Sequence, residues 1–319
     1  MENIIQAVLQ YENKPSFVTD YDSAKHHVVQ WLNQFDEKYR DAIVATMDSI
    51  LERFFITKDD YKEMCISKVR DKILTSNNPE EYWSKTYILD CQINGNSQSA
   101  MVEILKSALI EEDLHFCQDI TKAENLLYFD DMAFTFGRIR SDIKHFSGRK
   151  LDICPIITHS YNDYYFRNHD GKASNIRTLY CTRLENRTGA GYKNVSDVFW
   201  PHQDSLQNEE FKEKFEELGC NKANLRDQYC ASKIFKDPYA RKICEEAFFI
   251  EGTKIVTALS DKKNYKPLGI SPYENHWGFG GSVFSYRNCP NTAPLVIWWG
   301  KYTLPNDMGW YPLMNRIVY

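Results

Sequence analysis

The chain has 319 residues, 43% of them hydrophobic and 14% aromatic, with 39 basic against 44 acidic side chains for a formal charge of −5. That apolar and aromatic content excludes wholesale disorder. The acidic balance disfavours a nucleic-acid binder held by a global positive field, while leaving room for a local basic patch. No apolar run approaches the roughly 18 residues that a membrane helix needs, so no membrane association is expected.

The opening MENIIQAVLQYENKPS has neither a basic cluster nor a long apolar stretch, so a secretory leader is not expected. Nine scattered cysteines contain no CxxC or CxxH pair. This argues against zinc and for reduced thiols in a cytoplasmic protein.

The stretch to about residue 82 reads as helical. Apolar residues recur in three- and four-residue steps at Val28, Trp31, Leu32 and Phe35, then at Ile43, Met47, Ile50, Leu51 and Phe54. Thr57 can cap a further helix whose first turn holds Asp59 and Asp60. Residues 1–82 are therefore expected to form a helical subdomain, and residues 83–319 an α/β domain with a C-terminal extension.

From residue 85 the pattern changes. Tyr87–Asp90 is a short apolar run that ends in the polar string DCQINGNSQS, followed by helical spacing from Ala100. A second unit follows at Asn125–Phe129, then DDMAFTFGR, then Ile139–Phe146, and a third apolar run spans Leu151–Thr158. Apolar runs alternating with helices favour a parallel sheet flanked by helices. Further on, Asn208–Leu218 and Pro238–Phe249 read as helices, and Lys254–Leu259 and Leu295–Trp299 as candidate strands.

The stretch with most chemical content is Leu126–Arg138, LLYFDDMAFTFGR. In an open parallel sheet, ligands sit outside the carboxyl ends of the strands, where Asp130 and Asp131 could accept hydrogen bonds from sugar hydroxyls. Behind them, Thr135 offers a hydroxyl, Gly137 permits close backbone approach, and the turn offers N–H groups to a phosphate. An acid pair followed by a phosphate cradle suits a ribose 5-phosphate.

This pattern resembles the type I phosphoribosyltransferases. The resemblance implies that Asp130 and Asp131 contact the ribose hydroxyls of phosphoribosyl pyrophosphate (PRPP) as the catalytic acids. It also implies that Thr135, Phe136, Gly137 and Arg138 hold the 5-phosphate, and that Asn94, Gly95, Asn96, Ser97, Gln98 and Ser99 wrap the pyrophosphate. Mg²⁺ would share the charge, reached by the acids through ligand or water. The loop departs from that family in two ways. Gly137 lies six positions after Asp131 instead of five, and Phe134 and Phe136 stand where small residues are usual. The alternative to an enzyme is thus a catalytically degenerate module that senses a nucleotide or docks a partner.

Four further segments recur together in one group: Trp31–Phe35 (WLNQF), Ser232–Arg241 (SKIFKDPYAR), the loop WGFGGSVFSYRN, and Cys289–Trp299 (CPNTAPLVIWW). In order and co-occurrence they resemble the phosphoribosyltransferase-like PRTase-CE family of bacterial conflict systems. That resemblance implies an effector or sensor in anti-phage defence. Some relatives accompany retron reverse transcriptases, so a reverse transcriptase with its nucleic acid is an implied partner.

The remaining signals have blander readings. His159, after an apolar run, reads first as a structural histidine, and His276 could touch a base or a partner. Trp298, Trp299 and Trp310 read as packing residues. The basic string Arg138–Lys150 reads as a solvated face that could steer anionic ligands.

Overall fold

The structure is a computed structural model, and it describes residues 1–92, 97–169, 175–259, 264–271, 277–303 and 309–316. The chain begins with α1 (Glu2–Gln10), α2 (Tyr21–Leu32), α3 (Glu37–Phe54) and β1 (Phe55–Ile56). It continues through α4 (Lys58–Val69), α5 (Pro79–Ser84), β2 (Thr86–Leu89), α6 (Ser97–Glu111), β3 (Asn125–Ala133), α7 (Gly137–Ile143), β4 (Lys150–His159), α8 (Ser160–His169), β5 (Ile176–Thr178) and β6 (Thr182–Leu184). The last part holds α9 (Glu209–Glu217), α10 (Pro238–Ala258), β7 (Phe284–Ser285) and α11 (Leu295–Trp298). No helix among the described residues is long and apolar enough to cross a membrane, and all nine cysteines are free thiols.

The chain forms two compact units, one of residues 1–57 with 186–319 and one of residues 58–185. These cuts differ from the division at residue 82 that composition suggests. The reason is local: the Trp83 indole donates to the Val69 carbonyl at 2.7 Å and the Tyr82 hydroxyl to Asp152 of β4 at 2.7 Å. Helices α4 and α5 are thereby tied into the same unit as the strands.

The 58–185 unit is built on a parallel sheet. Strands β2, β3, β4 and β5 lie side by side in that order, and β6 pairs with the later part of β4. In register, Tyr128 faces Ile153 and Asp130 faces Pro155. Side chains alternate across a strand, so Leu126, Tyr128 and Asp130 share one face. On that face Leu126 and Tyr128 pack with Leu151 and Ile153, with Phe136 and Ile139 at α7, and with Phe166 of α8. The strand β3 is buried along its length, as expected of a strand covered on both sides.

The other unit is mainly helical. Helix α2 starts with a reciprocal capping box between Asp20 and Ser23 and buries Ala24, His27, Val28 and Trp31 at helical spacing. The indole N–H groups of Trp31 and Trp310 both donate to the Val296 carbonyl, each at 2.8 Å. The recurrent segments WLNQF and CPNTAPLVIWW therefore meet in one core, and Trp298 and Trp310 are packing residues there.

Two expected strands are helical instead. Lys254–Ala258 is the last part of α10, with Leu259 its extended cap; the helix passes through Gly252, where a Cβ would come within 2.6 Å of the Pro267 carbonyl oxygen. Close approach demands glycine at that point, and the helix continues through it despite glycine's low helix preference. Leu295–Trp298 is a single helical turn after Pro294.

A fully buried ionic cluster anchors α10. Glu245 accepts from Arg226 (2.6 Å), Arg241 (2.7 Å) and the Trp200 backbone N–H (2.7 Å). Removing the anion alone would leave two buried guanidinium groups without their charge partner. Glu245→Ala is expected to cost about 3–5 kcal/mol in chemical denaturation.

His27 is buried between Tyr311 (2.6 Å from Nδ1) and the Leu313 carbonyl (2.8 Å from Nε2). These partners select the neutral ring, with Nε2–H donating to Leu313. Burial lowers its pKa from 6.5 to about 4. Between those values the unfolded chain binds a proton that the native state refuses. His27's contribution is thus complete above pH about 6.5 and is lost as pH falls towards 4. Unfolding free energy measured across that range is expected to fall more steeply for the native sequence than for His27→Asn.

Candidate functional site

Strand β3 extends to Ala133, so Asp130 and Asp131 lie within its second half rather than at its very tip. The pairing of Met132 with Ile157 and of Ala133 with Thr158 carries the strand beyond the acids. Both are nearly sealed, at 5% and 7% exposure. Asp130 accepts from the Asp131 backbone N–H (2.9 Å) and from the Gln92 carboxamide (2.8 Å), and Asp131 accepts from the Met132 N–H (2.6 Å).

Burial, and then the negative charge of Asp131, hold Asp130 well above the usual carboxylate range. Two adjacent buried acids resist ionising together, because each charge raises the cost of the other.

Three residues that the sequence pattern does not single out complete this cluster. Gln92, just past β2, bridges Asp130 and the Tyr128 hydroxyl (3.2 Å), and that hydroxyl donates to Asp142 of α7 at 2.9 Å. Burial and the charges of Asp142, Asp90 and Asp130 raise the Cys91 thiol to about 11, a sign of the negative field there. Gln92 carried one usable signal, its place at the carboxyl end of a strand. Tyr128 reads as an apolar strand residue and Asp142 as part of a charged helix, so neither signals its role locally.

The loop after β3 has a particular shape. Phe136 takes the left-handed conformation (φ 59°), a strained choice for an aromatic residue. Its ring turns into the core and stacks on Phe166 at 4.8 Å. Phe134 stacks on His159 at 5.2 Å, and Asn162 donates to its carbonyl at 2.7 Å. Gly137 and Arg138 are left exposed. A Cβ on Gly137 would meet only Thr135 Oγ1, at 3.4 Å, so the outer side of the loop is open. The expected freedom of Gly137 is used one residue earlier, at Phe136. Burial drops His159 to about 3, which leaves it neutral and structural.

The proposed pyrophosphate segment is only partly described. Asn94, Gly95, Asn96 and the side chain of Ser97 lie outside the described residues, as does His276. Gln98 is buried, and its carboxamide oxygen accepts from the N–H groups of Cys91 (2.9 Å) and Gln92 (3.1 Å). Ser99 donates to Asp90 at 2.7 Å. These two side chains clamp the ends of the segment and set Gln92 on Asp130.

Asp130, Asp90 and Asp142 accept hydrogen bonds from Gln92, Ser99 and Tyr128 respectively. No cluster of three or more acidic, histidine or cysteine side chains among the described residues is arranged to hold a metal unaided. A cation would therefore need ligand or water oxygens.

A parallel sheet flanked by helices, with adjacent acids near the end of an interior strand and a Thr-x-Gly turn behind them, defines a phosphoribosyltransferase-like protein. The chain belongs to the PRTase-CE family, which it matches over residues 28–316. No curated protein and no solved structure matches it.

The raised Asp130 pKa has a consequence for stability. The native state keeps a proton that the unfolded chain releases, so the contribution is favourable at low pH and is lost as pH rises through the native value. Asp130→Asn cannot ionise. It is expected to raise the thermal midpoint at pH 8, with the gain shrinking as pH falls towards 4.

Proposed function

We propose that the 58–185 unit binds PRPP, or a nucleotide carrying the same ribose 5-phosphate, as its Mg²⁺ complex. The observation that supports this reading is the buried adjacent pair Asp130–Asp131, followed by a loop whose phenyl rings stack on Phe166 and His159 and leave Gly137 and Arg138 exposed. In this reading the ribose 2- and 3-hydroxyls donate to the two carboxylates and displace Gln92 from Asp130. The N–H groups of Thr135–Arg138 and the Arg138 guanidinium take the 5-phosphate. Asn94–Ser99 are assigned to the diphosphate on sequence alone.

Mg²⁺, when bound, offsets the charge of the diphosphate and of the surrounding acids through ligand or water oxygens. Breaking the bond from sugar C1 to the diphosphate leaves positive charge on the ring, which the carboxylates beneath it favour. Water or an acceptor then supplies the new C1 substituent, giving hydrolysis or phosphoribosyl transfer.

A second reading, a sensor or docking module without turnover, draws on the neutral, sealed state of His159, the imidazole nearest the loop. A place in anti-phage defence, alongside a partner such as a reverse transcriptase with its nucleic acid, rests on the family resemblance alone.

Calorimetric titration with Mg²⁺–PRPP is expected to show saturable binding that Asp130→Asn and Asp131→Asn each weaken by about tenfold or more. Release of pyrophosphate separates the enzyme from the sensor. Absence of binding at millimolar ligand would leave the scaffold role only.

A further inference from the structure

We infer that Gln92 is a specificity-determining residue: its carboxamide holds the place of a ligand hydroxyl on Asp130, so the site favours molecules that bring a hydroxyl donor to take over that bond. This rests on the ribose-phosphate reading above and names the ligand feature that the site tests. Gln92 Nε2 donates to Asp130 Oδ2 at 2.8 Å and to the Tyr128 hydroxyl at 3.2 Å, one hydrogen for each. Asp130 is only 5% exposed, so a ligand hydroxyl and the carboxamide compete for the same oxygen.

The backbone and the side chain of Gln92 are held differently. Its N–H donates to the carboxamide oxygen of the buried Gln98 at 3.1 Å, and the Cys91 N–H donates to the same atom at 2.9 Å, which fixes the main chain. The side chain is half-buried and has a second acceptor in the Tyr128 hydroxyl, which donates onward to Asp142 at 2.9 Å. Leaving Asp130 therefore does not strand the carboxamide. A Lys or Arg at this position would form a charged pair, roughly twice as strong as a neutral bond. A neutral amide satisfies the buried oxygen and gives way more easily.

The consequence is a rule for ligands. Exchanging one donor for another at a buried oxygen is nearly neutral, whereas losing a donor leaves that oxygen unpaired at a larger cost. A ribose makes the exchange. A ligand with the same ring and phosphate but no hydroxyl leaves Gln92 in place and gains nothing at Asp130. Removing the Gln92 donor leaves Asp130 short of a partner in the free protein, and a ribose hydroxyl then restores what is missing. Affinity for a ribose phosphate rises, while affinity for the hydroxyl-free ligand does not.

The test uses the full chain with ribose 5-phosphate and with tetrahydrofurfuryl phosphate, which keeps ring and phosphate but has no ring hydroxyl. Neither ligand carries a diphosphate, so the group assigned to residues 94–99 is absent from both. Gln92→Ala and Gln92→Met both lose the donor, and the second keeps the length of the side chain. In calorimetry each is expected to tighten ribose 5-phosphate by about threefold to tenfold and to leave tetrahydrofurfuryl phosphate unchanged, whether weak or undetectable. Equal tightening of both ligands would mean that the substitutions only make room, and would overturn the inference. Unchanged or weakened binding of ribose 5-phosphate in both variants would overturn it too, with the ribose-phosphate reading intact. Failure of ribose 5-phosphate to bind the native chain and both variants at millimolar concentration overturns that reading and this inference together.

Discussion

Two carboxyl groups on consecutive residues, both withdrawn from water, set the chemistry of the 58–185 unit. Each would lose its hydration on burial, and each makes ionisation of the other harder. The surrounding groups respond to that constraint: Gln92 supplies a neutral donor, backbone N–H groups supply two more, and Gln98 holds Gln92 at the correct distance. Such a cluster is poorly suited to stabilising a fold, and under the proposed function it is the part that would receive hydroxyl donors. Strain and buried polarity of this kind persist where function demands them.

The aromatic residues in the following loop account for how a bulky sequence leaves Gly137 and Arg138 exposed. A left-handed Phe136 reverses the direction of its side chain, so a ring that would fill the loop instead becomes part of the core under α7 and α8. The left-handed conformation is unfavourable for such a residue, and the stacked contact with Phe166 offsets it.

Much of this was legible in the residues. Helical spacing places α2, α3, α4 and α9, and β2 and β4 fall within a residue or two of their apolar runs. The acid pair announces itself because two charges inside an apolar run need an explanation. Other features are not local. β3 runs past its acids because its partner β4 continues there. Lys254–Leu259 looks like a strand but is the end of a long helix and its cap, since a short apolar run does not distinguish the two states. The roles of Tyr128 and Asp142 depend on a contact across a strand–loop–helix turn, which neither residue's neighbours encode.

The shared Val296 carbonyl has an implication for the order of events during synthesis. The indoles of Trp31 and Trp310 converge on one oxygen atom although nearly the entire polypeptide separates them. Residues 58–185 emerge from the ribosome as one uninterrupted segment, whereas the helices before them await partners made last. The sheet unit thus has all its contacts available early. The parts of α2 and α3 that pack on α10 and on the segment around Val296 stay uncovered through most of translation, an interval in which chaperone occupancy or self-association of the nascent chain would compete with folding.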